Sequence, residues 1–153
     1  MRIGILAAVG VVAAGVAGAA AAEEPTHFRT GFEMGCLAHG DDPLSIPIAL
    51  FEDHYWSLYH GPDTGEFELL RGDSQVFVTT FGARRCVVTT VGADRAAAEA
   101  MVEAALESRH PGEWSREEGP AGPLWRAIVG DAPVEITIIE ELSGPGLGVD
   151  LRS

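Results

Sequence analysis

Cys36 and Cys86 are the only two cysteines in the chain. They lack the Cys-x-x-Cys spacing that would point to redox or zinc chemistry. In an oxidising compartment two cysteines allow a single intramolecular pairing. Closing a loop of about 50 residues stabilises a fold by about 4 kcal/mol in the chain-entropy account. The five histidines are His27, His39, His54, His60 and His110. They give pairs at most, His39 with Asp41 and Asp42 in one loop and His54 with His60 on one strand face. A metal site needs three or four converging ligands, so surface and turn roles are expected, with no metal and no other cofactor. Glu99, Glu103 and Glu107 recur every four residues, with Arg95 one step before. Such a row of like charges repels slightly and normally faces solvent, or else docks a basic partner. Trp114 stands in a Gly/Pro-rich stretch, 111–123, where a large aromatic has no evident burial. With the three glutamates it forms the candidate contact surface for a ligand or partner.

Gly72-Asp73-Ser74 is similar to the Gly-Asp-Ser block of trypsin-like serine hydrolases. The match covers three residues, and Gln75 stands where the Gly-Gly-Pro continuation would begin. Ser chemistry also needs an oriented His and an oxyanion hole. No Gly-x-Ser-x-Gly occurs. Arg71-Gly72-Asp73 spells an adhesion tripeptide, which turn chemistry explains as well. Glu52-Asp53, Glu117-Glu118 and Glu140-Glu141 add acidity without a recognisable acid/base pair.

The elements that must position these residues are legible in outline. Phe28, Phe32 and Cys36 fall at four-residue spacing within 27–39, which predicts a modest first helix weakened by Gly31 and Gly35. A second short helix or extended connection covers 44–50. Residues 55–60 read as a strand, followed by a turn at 61–65 and a partner strand at 67–70. Gln75–Phe81 and Arg84–Val91 form a hairpin around Gly82-Ala83, so a cystine would tie the first helix to this sheet. Asp94 can cap a helix that runs to Arg109, before Pro111-Gly112. Its sheet-facing residues are expected to be Ala97, Met101, Ala104 and Ala105, with Leu106 near the edge of that face. Leu124–Val129 and Val134–Ile139 form another hairpin, around Gly130-Asp131, and Leu147–Leu151 alternates as a short last strand. No internal sequence repeat is evident. The order predicts an α+β fold with a mainly antiparallel sheet of about five to six strands. One long helix and a shorter N-terminal helix would complete it, with one disulfide.

Arg2 is followed by an uncharged, small and apolar run, 3–22, ending in four alanines. A positive start, an apolar middle and a small-residue exit describe a secretory signal peptide cleaved after Ala22. The rival reading is a retained membrane anchor, for which the Ala- and Gly-rich composition is weak. Residues 1–22 are therefore expected to be removed, leaving 23–153 as a single α+β domain with no membrane contact. The formal net charge is −13, and cleavage makes it one unit more negative by removing Arg2. This repels nucleic acid and suits either simple solubility or a cationic partner. All ten basic residues are Arg, with no Lys and no Asn, which implies a GC-rich bacterial source. The expected address is the periplasm or the exterior. The function expected first is a non-catalytic binding, accessory or inhibitor protein, with a cationic protein or envelope component as partner. Alternatives are a small serine- or carboxylate-dependent hydrolase using Ser74, and an envelope structural component held by its N-terminal segment.

Overall fold

The computed structural model describes residues 26–38, 50, 56–60, 66–79, 85–91, 93–140 and 146–153. The expected signal segment 1–22, the His39-Asp41-Asp42 group, His54, and the turns at 61–65 and 82–83 lie outside the described residues. So does most of the expected element at 44–50.

The chain is α+β: the described residues include an antiparallel sheet, helical segments over Thr26–Leu37 and Arg95–Arg109, and one disulfide. The sheet has eight strands, more than the five or six expected. They are β1 (Ser57–His60), β2 (Glu66–Arg71), β3 (Ser74–Thr79), β4 (Arg85–Thr90), β5 (Trp114–Gly119), β6 (Gly122–Val129), β7 (Ala132–Glu140) and β8 (Leu147–Arg152). Sequence reading missed β5 because a Pro/Gly-rich composition reads as loop. Its register against β6, Trp114 opposite Ala127 through Gly119 opposite Gly122, is nonetheless unbroken.

The first helix also differs from expectation. It is a short α-helix, α1 (Thr26–Thr30), continued by a π-helical segment, Gly31–Leu37. The π geometry is closed by the Ala38 amide donating to the Glu33 carbonyl, 2.9 Å away. Gly31 explains part of this departure from ideal helix. A Cβ there would stand 2.9 Å from Val76 Cγ2 and 3.1 Å from both Trp56 and Val88, so only glycine lets this backbone sit so close to the sheet. Phe28, Phe32 and Cys36 are fully buried, as their spacing predicts.

The second helix, α2 (Arg95–Arg109), starts where the Asp94 carboxylate accepts the Ala97 amide at 2.8 Å. Its buried face is Ala98, Met101, Val102, Ala105 and Leu106, rotated from the one expected; Ala104 is exposed. Bulk decides this: the rotated face buries Val102 and Leu106 at i, i+4 spacing, whereas a face through Ala97 and Ala104 would bury mostly methyls. Both helical regions pack on one face of the sheet. Their core partners are Phe67, Leu69, Val76, Val78, Val88, Trp125, Ile136 and Val149.

The strand order is β1-β2-β3-β4-β8-β7-β6-β5, antiparallel throughout. Each half is therefore a helical region followed by a four-strand meander, and the two last strands, β4 and β8, pair at the centre. The β2–β3 and β6–β7 hairpins match closely. Both turn through Gly-Asp, between closing pairs Arg71–Ser74 and Val129–Ala132. Gly72 and Gly130 have φ of 60° and 63°, a region where glycine carries no Cβ penalty. The topology is duplicated although the sequence shows no repeat.

Cys36 and Cys86 form the disulfide, with Cα atoms 5.7 Å apart, and join the π-helical segment to β4. Replacing both by alanine is expected to lower stability by about 4 kcal/mol. Urea unfolding of the double variant against the oxidised parent checks this, and dithiothreitol should destabilise the parent alone.

Candidate functional site

Strand alternation puts one set of side chains under the helices and the other on the opposite, outer face. Beneath the helices the glutamate row meets β5. Glu103 accepts from Arg116 Nη1 at 2.6 Å and Glu99 from Arg116 Nη2 at 3.2 Å. Glu118 accepts from Arg116 at 2.8 Å. Hydrogen bonds to Glu103 and then Glu118 raise the pKa of the Arg116 guanidinium above its ordinary value, and it lies 5.6 Å from the centre of the Trp125 ring. The Trp114 indole donates to Glu107 at 3.1 Å, and Trp114 packs on the edge of the core. All four residues singled out for partner contact, Trp114, Glu99, Glu103 and Glu107, thus converge on the α2–β5 junction. Their first partners are within the chain, which a helix read without β5 could not show.

Ser74 is 1% exposed and its hydroxyl donates to Asp73 at 3.2 Å. His27 lies beside the same turn, against Gly72. A small recess of about 210 Å³ borders the turn and the end of β4. His110 caps α2, its Nδ1 3.8 Å from Glu113. Among the described residues no three His, Cys, Asp or Glu side chains are grouped to hold a metal ion. Among them also, no helix is long and apolar enough to cross a membrane.

The outer face carries the arrangement that sequence reading missed. Register places Ser115, Arg126, Glu135, Arg152 and Arg85 opposite one another across β5, β6, β7, β8 and β4. Arg126 joins Glu117 at 2.6 Å and Glu135 at 3.1 Å. Asp150, whose side chain is fully buried, receives two hydrogen bonds from Arg85, both 2.8 Å, and two from Arg152, at 2.9 and 2.6 Å. Burial alone would push the Asp150 carboxyl up. The hydrogen bonds from Arg85 and then Arg152, with their charges, outweigh it and hold the carboxyl below the ordinary 3.8. Asp150 was legible only as one more acid in an acidic chain, because its partners are distant in sequence.

Next to this row runs a groove of about 770 Å³. Register shows its course. One border is Ser115, Arg126, Glu135 and Arg152, the other is Ile128 with Pro133, and Gly112 and Glu113 form a wall. It therefore crosses the ends of four strands, about 14 Å at the usual strand spacing. Ile128 is 46% exposed here and offers apolar surface to the groove. Comparison of the chain with known protein families, characterised proteins and solved structures finds no match in any of the three. The site's chemistry is accordingly read from its own geometry.

Because the folded-state pKa of Asp150 is depressed, its contribution is present above the unfolded-state pKa and is lost as pH falls through the folded-state value. Urea unfolding should show the parent losing stability more steeply than Asp150→Asn below about pH 3.9. At neutral pH the variant should be less stable by about 1–3 kcal/mol, because both arginines lose their ionised partner yet still reach water. Parallel pH profiles would contradict the assignment.

Proposed function

We propose that this is an exported, non-catalytic binding protein that takes a small ligand in the groove across β5–β8. The observation that carries the reading is the groove itself. Its volume lies within the roughly 300–1,000 Å³ that small-molecule sites occupy, and its exposed Ile128 and Pro133 are bordered by a few fixed polar groups. The outer-face charges are already ion-paired, which makes them suited to orienting a ligand and poor as proton-transfer groups. Ser74, the nucleophile of the alternative hydrolase reading, directs its hydroxyl to a carboxylate and is almost inaccessible. The acidic charge draws cations to the surface at large, so a basic envelope protein remains a partner compatible with this reading.

Export rests on the sequence of residues 1–22 and the cystine supports it, since such bonds persist in oxidising compartments. Sequencing the N-terminus of the secreted or periplasmic protein should find Glu23 first; a protein starting at Met1 would contradict cleavage. For the groove, a thermal-shift screen of small molecules should yield compounds that stabilise the parent and leave Ile128→Glu unchanged. A charge at that exposed site should cost little stability while spoiling the apolar border. If every stabilising compound acts equally on the variant, the groove is not the binding site.

A further inference from the structure

Resting on that reading, we infer that the groove recognises a short zwitterionic peptide, its apolar side chain on Ile128 and Pro133 and its two termini at oppositely charged ends. Three observations lead there. First, the charges form two unequal triads. Arg85, Asp150 and Arg152 leave one excess positive charge at the β8 end. Glu117, Arg126 and Glu135 leave one excess negative charge over β5–β7, where Glu113 on the wall adds a second carboxylate. Second, the arginines reach the groove. Arg152 and Arg126 line it with side chains 61% and 47% exposed. A carboxylate meeting Arg152 gains a charge-assisted hydrogen bond, and an ammonium meeting Glu113, on the wall at the β5 side, gains the counterpart.

Third, the fold does not require the charges at Arg126, Glu135 and Arg152. Superposing the two Gly-Asp hairpins pairs Glu68 with Arg126, Leu70 with Ile128 and Phe77 with Glu135. The strand registers then pair Val87 with Arg152. The first half thus builds the same sheet with Glu, Phe and Val where the second half has Arg, Glu and Arg. The apolar position at Ile128 is kept as Leu70, and the recess beside Leu70 holds only about 210 Å³. Among the described residues the larger, charged groove lies in the second half. Its length suits the ligand, because an extended tripeptide spans about 10 Å, less than the width of four strands.

Isothermal titration of the exported protein with Ala-Leu-Ala, its N-acetyl form, its C-terminal amide and the doubly blocked form tests the proposal on the unaltered protein. The free tripeptide should bind, and blocking either end should weaken binding at least tenfold. Arg152→Gln should erase the difference between free acid and amide, and Glu113→Gln the difference between free amine and acetyl. Circular dichroism and thermal melts of both variants establish that they are folded. Equal binding of all four peptides, or none by the free tripeptide, overturns the zwitterion assignment. Should Ile128-dependent ligands emerge from the thermal-shift screen in that event, the groove stands as a binding site for another chemistry; should none emerge, both readings fall.

Discussion

The pairing of β4 with β8 is the constraint on which the rest of the molecule depends. Among the described residues it is the one strand pairing that joins the two four-strand meanders. Each side of the seam is fastened differently. On the helical side Cys86 of β4 is bonded to the π-helical segment and lies opposite Leu151. On the outer side Asp150 of β8 is held by Arg85 of β4. Because side chains alternate along a strand, a slip of one residue would drive Asp150 into the apolar layer and Val149 out of it. The buried carboxylate therefore specifies register as well as adding stability, because a slipped register would leave its charge buried without a partner.

From that seam follows the position of the groove. Arg152 reaches it because β8 lies between β4 and β7, and it is oriented by the same Asp150 that fixes the register. Glu135 and Arg126 follow on β7 and β6. The two faces of the sheet thus divide the work. The helical face holds the core and absorbs the glutamate row of α2 through Arg116. The opposite face carries an ordered line of charges beside Ile128 and Pro133. The near-duplicate first half shows that the backbone plan is indifferent to charge at Arg126, Glu135 and Arg152, which separates their role from that of the register-fixing Arg85–Asp150 pair.

Much of the framework was legible in the sequence. The cystine, the capped helix after Asp94 and the hairpin at Gly130-Asp131 rest on local signals, and each is present. The misreadings have physical causes. β5 is an edge strand whose middle, Ser115 to Glu118, is polar, so neither alternation nor β-branched residues mark it. Without β5 the glutamates of α2 look solvated and Trp114 looks stranded. Gly31 lets the π-helical segment lie close against the sheet, a tertiary contact that local propensity does not register. The outer-face site joins Arg85, Glu117, Arg126, Glu135, Asp150 and Arg152, residues brought together by strand order alone. Sequence spacing carries no trace of strand order once the halves have diverged.

Native-state hydrogen exchange, resolved by residue, tests the seam most directly. The amides of β4 and β8 that bond across it should be among the slowest in the protein and exchange only through global unfolding. They should remain so in denaturant concentrations at which the ends of β1 and β5 already exchange by local opening. Exchange of β4 and β8 through a smaller opening, while β6 and β7 stay protected, would mean that the halves separate before they unfold. The β4–β8 pairing would then not be the joint that holds the sheet and its groove together.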